Sequence, residues 1–213
     1  MINDETHISV CGIGPGNPDL IPNAVFKQVD KAEVLMGGKR QLAIFSDRDK
    51  TTCVFDGRTA NLKSDIERHA GKHIVILVSG DTGFYSLRRF LLATFPDERI
   101  TLTPGISSFQ YFYARLGLGY ENAFFASVHG KDKDYISKLD VYSSVFLLTD
   151  RKNNYKAIAR HLTDHGYGHL IMHIGCNLSY NDEQILTMRA SEALSLNQDF
   201  SLCSVIIENQ EIS

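Results

Sequence analysis

His7-Ile8-Ser9-Val10-Cys11-Gly12-Ile13-Gly14-Pro15-Gly16-Asn17-Pro18-Asp19-Leu20 decides the fold class. An apolar strand, read over His7–Ile13, runs straight into a turn with three glycines and two prolines between Gly12 and Pro18. Glycine opens backbone conformations closed to other residues and lets a ligand approach the chain. Proline stiffens the turn and removes amide donors. A loop of this kind after a buried first strand lies where open α/β sheets bind ligands. It is not the dinucleotide fingerprint, because the last glycine of Gly-x-Gly-x-x-Gly is replaced by Asn17.

Outward from this loop the chain alternates strand and helix. Asn23–Lys31 reads as a helix opened by Pro22, and Ala32–Met36 as a strand closed by Gly37-Gly38. Leu62, Ile66 and His69 share one helical face, which predicts a helix over Thr59–Ala70 with Thr59 as its cap. His73–Ser79 carries five consecutive apolar residues, the mark of a central parallel strand buried on both faces. Leu87–Ala93 reads as a helix and Arg99–Leu102 as a strand. This βαβα order predicts a parallel-rich sheet with helices on both sides.

The later half reads differently. Ile106–Leu116 is an aromatic-rich helix, and Tyr155, Ile158, Ala159 and Leu162 mark another. Ala123–Val128, Ser143–Thr149, His169–Ile174, Gln184–Met188 and Leu202–Ile207 read as strands with short late connections, which predicts a mixed sheet. The fold class is therefore α/β in two domains, 1–104 and 105–213, divided at Thr103-Pro104-Gly105.

The 213 residues can build substantial cores, and 43% hydrophobic with 22% charged residues is ordinary globular composition. A net charge of −3 without a basic run argues against nucleic acid, and Lys131-Asp132-Lys133-Asp134 reads as a solvated turn. The apolar runs are too short to span a membrane, and the N-terminus lacks signal-peptide features. Cys11, Cys53, Cys176 and Cys203 show no metal-ligand spacing. Cys11 and Cys203 lie within strand patterns and read as buried free thiols, which predicts a cytoplasmic chain without a bound metal.

Three further segments accompany the first loop. Ser79-Gly80-Asp81-Thr82-Gly83-Phe84 follows the most apolar strand, where Asp81 can accept hydrogen bonds from a ligand or cap the following helix. Pro104-Gly105-Ile106-Ser107-Ser108 breaks a strand and then opens a helix with free amides. Gly175-Cys176-Asn177-Leu178-Ser179 reads as a polar hairpin connection. Asp81 and His129 are candidates for a general base by position, and no residue is assigned as catalytic. His129, in Val128-His129-Gly130, otherwise reads as a structural strand-end histidine.

These four loops, in this order, resemble the tetrapyrrole methylase family, in a match that runs from His7 to Glu208. Ser107-Ser108-Phe109-Gln110, Ala114-Arg115-Leu116-Gly117-Leu118, Val128-His129-Gly130, Leu148-Thr149-Asp150 and Asp182-Glu183 look most like the branch that methylates carbon 5 of a (cobalt-)precorrin in cobalamin biosynthesis. The resemblance implies an S-adenosylmethionine-dependent methyltransferase, with S-adenosylhomocysteine as product and a homodimer holding the cofactor in its interdomain cleft. It implies that Ser79, Gly80 and Asp81 wrap the methionine part with Phe84 nearby. Ser107, Ser108 and Leu148 would hold the methionine and adenine regions, and Asn177 and Leu178 would close over adenine. Gly14, Pro15 and Gly16, with His129, would border the tetrapyrrole substrate. Thr82 stands where the family usually has proline, Ser86 where glycine is common, and Cys176 and Ser179 where Glu and Gly commonly flank Asn-Leu. The resemblance also admits a separate decarboxylating methyltransferase as partner. The alternatives are the same fold acting on another tetrapyrrole position or a non-tetrapyrrole acceptor, and a catalytically silent cofactor-binding module.

Overall fold

The computed structural model describes residues 5–96, 99–129, 134–198, 200 and 202–212. Gly130 and most of the charged turn at 131–134 lie outside the described residues. The chain packs as two compact units divided between Ser107 and Ser108.

In the first unit, β1 (His7–Gly12), β2 (Val34–Gly37), β3 (Thr51–Val54), β4 (His73–Val78) and β5 (Ile100–Thr103) form one sheet of order β3-β2-β4-β1-β5. Every pairing is parallel. The apolar run of β4 lies at the centre and is buried throughout, as a strand covered on both faces must be. Ile74, Ile76 and Val78 pack with Ile8, Val10, Leu62, Ile66 and Leu91, beneath α3 (Thr59–Arg68) and α4 (Arg88–Thr94). Val75 and Leu77 pack on the opposite face with Val25, Val29 and Leu42, beneath α1 (Asn23–Lys31) and α2 (Lys39–Ala43). Alternating side chains of one strand thus feed two helix layers.

The first unit departs from the sequence expectation in two places. The chain between Gly38 and Thr59 holds both α2 and β3, where no element was expected. Thr59 is not the cap of α3. Arg58 occupies that position in extended backbone with no side-chain cap, and Asp56 braces the helix start instead, its carboxylate accepting the Arg58 backbone amide at 2.9 Å and the Asn61 side-chain amide at 2.8 Å.

In the second unit, β6 (Ala123–Ser127), β7 (Ser144–Leu148), β8 (Ile171–Cys176), β9 (Gln184–Arg189) and β10 (Cys203–Glu208) form a sheet of order β6-β7-β10-β8-β9. Only β6–β7 is parallel, which makes the sheet mixed as the short connections predict. One face packs on α6 (Tyr155–Asp164) and α7 (Ala190–Ala193), with Tyr155, Ile158, Ala159 and Leu162 all buried. The other face meets α5 (Ser108–Leu116), where Phe109 lies 4.5 Å from Phe125 and 6.0 Å from Phe146, ring centre to ring centre. The aromatic content of this helix supplies that layer. Among the described residues no helix is long and apolar enough to cross a membrane. All four cysteines are free, with Cys11 and Cys176 buried and Cys53 and Cys203 partly exposed, so Cys203 is less enclosed than its strand pattern predicts.

Candidate functional site

Three loops of the first unit meet at the carboxyl ends of their strands. β1 is in register with β4 at Gly12↔Val78 and with β5 at Cys11↔Thr103, so the turns beyond them emerge side by side. The Gly80 amide donates to the Gly14 carbonyl at 2.7 Å, and the Gly14 amide donates back at 3.2 Å. Gly14 holds φ at +79°, a conformation that glycine adopts without strain. The third loop closes on the same point. A side chain at Gly105 would lie 2.3 Å from the Gly80 carbonyl oxygen and 2.5 Å from Gly12, so only hydrogen fits there.

The charged and polar groups of this edge hold the loops as well as facing outward. Asp81 accepts the Gly83 amide at 2.6 Å through one carboxylate oxygen and the Gly105 amide at 3.4 Å through the other. It therefore stabilises the turn; α4 begins only at Arg88 and takes no cap from it. Ser79 is exposed at the end of β4, and its hydroxyl accepts a hydrogen bond from Gln41 Nε2 at 2.8 Å. Gln41 also accepts the Gly38 amide, which anchors it at the start of α2. Phe84 packs edge-on against Tyr85 at 4.8 Å, and Ser107 is buried at the end of the unit. Asn17, where the dinucleotide fingerprint would place glycine, accepts the Asp19 amide at 2.9 Å and so closes the turn after Gly16. Pro15 and Gly16 are partly exposed on the same loop. A cavity of about 520 Å³ in the other unit is lined by Leu118, Asn122, Ser144, Glu208 and Asn209. One of about 350 Å³ lies beside Ser79, lined by Gln41, Phe55, Leu77, Tyr85 and Leu87.

The second unit brings a separate group together. Leu148 ends β7 opposite Ser204, and Cys176 ends β8 opposite Cys203, so both strand ends flank the start of β10. The Val128 amide donates to the Leu148 carbonyl at 3.0 Å, which places the exposed His129 beside this edge. Asn177 sits at φ +47°, donates its amide to Leu202 at 2.9 Å, and donates its side chain to Asp182 at 2.7 Å. The polar segment is a hairpin connection between antiparallel β8 and β9, as expected, although Gly175 and Cys176 belong to the strand. Leu178 turns inward and is buried, within contact range of any side chain added at Gly175. Ser108 opens α5.

Two residues without an expected role hold this geometry. Gln41 positions Ser79, and its signal was a glutamine three residues after Gly38 at a helix start. Glu183 accepts the Ser179 amide at 2.6 Å and Arg115 Nε at 2.9 Å, which ties the hairpin loop to α5. Burial pushes the Glu183 carboxyl up, but the Ser179 amide, Tyr111 and Arg115 outweigh it and hold the group below the usual carboxylate range. Among the described residues no group of His, Cys, Asp and Glu is placed to hold a metal ion.

The profile of the Tetrapyrrole (Corrin/Porphyrin) Methylases matches residues 7–194. The cobalt-precorrin-7 C(5)-methyltransferase of Salmonella typhimurium is 33% identical over 94% of this chain and 98% of its own length. A protein described as a probable cobalt-precorrin-7 C(5)-methyltransferase, from Methanocaldococcus jannaschii, is 30% identical over 94% of this chain and 96% of its own. Among solved structures, the uroporphyrin-III C-methyl transferase of Thermus thermophilus complexed with S-adenosylhomocysteine superposes with a TM-score of 0.77 at 14% identity. That alignment covers 95% of this chain and 92% of the other, and it establishes likeness of fold. With the loop geometry and the end-to-end match taken together, the chain belongs to the tetrapyrrole (corrin/porphyrin) methylase family.

Proposed function

We propose that this chain transfers the methyl group of S-adenosylmethionine to carbon 5 of a cobalt-precorrin and releases S-adenosylhomocysteine. The observation that carries the reading is the near full-length likeness to relatives named for that reaction. The close backbone approach of Gly12 and Gly105 to Gly80 supports it, because it sets the loops after β1, β4 and β5 side by side at the carboxyl edge where open α/β sheets take ligands. When bound, the sulfonium supplies an electrophilic methyl group and leaves as a neutral thioether.

The residues proposed to hold it are Ser79, Gly80, Asp81 and Phe84, with Ser107 and Ser108, and Leu148, Asn177 and Leu178. Gln41 donates to the Ser79 oxygen, so the Ser79 hydroxyl proton is directed elsewhere and can meet a carboxylate. The Asp81 carboxylate supplies negative charge for an ammonium group while two backbone amides keep it in place. The task of the protein is to align a ring carbon with the methyl at about 3–3.5 Å and to exclude water, which needs orientation more than acid–base chemistry. Gly14, Pro15 and Gly16 are proposed to border the tetrapyrrole, as is His129. Asp81 and His129 stay the candidates for taking the proton lost after methylation. The working form is proposed to be a homodimer, which sedimentation would test.

Turnover with labelled S-adenosylmethionine and a panel of precorrins and cobalt-precorrins tests the reading. Label at carbon 5 of one of them, located by NMR, is the expected result. Incorporation into none of them overturns it.

A further inference from the structure

Cys176 and Cys203 stand directly opposite each other on antiparallel β8 and β10. The Asn177 amide donates to the Leu202 carbonyl at 2.9 Å, one residue beyond the pair on each strand. That pattern makes Cys176 and Cys203 a non-hydrogen-bonded pair, the type in which facing Cα atoms approach to about 4.5 Å and side chains lie closest. A disulfide requires Cα atoms about 4.4–6.8 Å apart. Both cysteines touch the same buried cluster, so their side chains leave the sheet on the same face. Both are free thiols.

We infer that Cys176 and Cys203 form a reversible thiol–disulfide site, closed by a small disulfide of the glutathione class, at the sheet end that carries Asn177. Cys203 is partly exposed and reacts first; Cys176 is buried and follows from within. The hydrogen bond with Cys203, then burial, push the Cys176 thiol up and keep it protonated until its neighbour has reacted. The Cys203 thiolate attacks one sulfur of the small disulfide, forms a mixed disulfide and expels one thiolate. Cys176 passes its proton to that thiolate, its sulfur attacks the Cys203 sulfur, and the second small thiol departs. Two protein thiols are oxidised and one small disulfide is reduced to two thiols. Closing the protein disulfide ties the end of β8, where the 177–183 loop begins, to the start of β10.

The test is incubation of the full chain with oxidised glutathione under native conditions, followed by alkylation in denaturant and non-reducing peptide mapping. The expected result is a linked Cys176–Cys203 peptide, with alkylatable thiols falling from the four of the sequence to two, and four again after dithiothreitol. Cys53→Ser keeps the link, whereas Cys176→Ser stops at glutathione on Cys203. Alkylation of both Cys176 and Cys203 after treatment, or a persistent mixed disulfide on Cys203 in the unsubstituted chain, overturns the inference. No methyl donor or tetrapyrrole takes part, so neither outcome bears on the methyl-transfer reading.

Discussion

Gly14 and Gly80 exchange both main-chain hydrogen bonds, at 3.2 and 2.7 Å, although 66 positions of sequence number separate 14 from 80. This single bridge locks the first glycine-rich turn to the loop after the central strand. The parallel pairing of β1 with β4 ends at Gly12↔Val78, two residues before it on each strand, and the bridge itself is antiparallel, so the two turns face each other in the opposite sense to the strands that lead into them.

Gly105→Ala tests how tightly the third loop is held. The added methyl would sit 2.3 Å from the Gly80 carbonyl oxygen and 2.5 Å from Gly12, all backbone that cannot rotate away. A loss of about 1–3 kcal/mol or more is expected from overpacking, read by denaturant unfolding. S-adenosylhomocysteine binding by calorimetry should fall with it, because the loops must part.

Gly175→Ala probes the second unit in the same way. Its methyl would meet Phe112 at 2.7 Å and Leu178 at 2.8 Å, both buried side chains. Stability should fall by about 1–3 kcal/mol. Pushing Leu178 aside should also raise the Kd for S-adenosylhomocysteine, and an unchanged Kd would remove Leu178 from the proposed contacts.

Glu183→Gln removes the charge that holds Ser179 and Arg115. Ser179 occupies φ +69°, so its amide bond helps keep a conformation that serine rarely adopts. The expected cost is about 1–3 kcal/mol. Donor affinity should weaken about tenfold, equivalent to about 1.4 kcal/mol. The lowered Glu183 pKa means that the unfolded chain takes up its proton first as pH falls, so this stabilisation is complete above the ordinary value of 4.5 and is lost through the lowered one. The variant should lack that part of the acid sensitivity in pH-dependent unfolding.

His73 gives a second pH dependence. Burial is the main cause of its lowered pKa, with His7 and Lys31 adding repulsion, while the Lys31 carbonyl and Glu33 act in the opposite direction. Its Nε2 lies 2.9 Å from the buried Ser9 hydroxyl. Protonation therefore favours the unfolded chain. Stability is full above the ordinary value of 6.5 and declines as pH falls from there through the lowered folded value. His73→Gln should flatten this slope in urea titrations carried downward in pH from the ordinary value of 6.5.

How far the fold was legible follows from where each signal lies. Five consecutive apolar residues from Ile74 to Val78 announced a strand covered on both faces, and that strand is central. Pro22 marked the start of α1, which runs over Asn23–Lys31 as read. By contrast β3 is an edge strand of Thr51, Thr52, Cys53 and Val54, mostly exposed, with no apolar alternation to read. α2 buries Leu42 alone, too little for a periodic pattern. Gln41 was not singled out, and Glu183 entered only as part of a resemblance without a role of its own, because a glutamine or glutamate in a polar stretch usually faces water.

Local chemistry in the chain was sufficient for the strand–helix order outside α2 and β3, the parallel-then-mixed division, and the four punctuated loops, because apolar period and turn residues act over a few positions. The meeting of Gly12, Gly80 and Gly105, the hold of Gln41 on Ser79, and the facing of Cys176 by Cys203 emerged with the folded chain. Each depends on strand register across long stretches of chain, and register is chosen by packing of whole faces, which no short window of sequence contains.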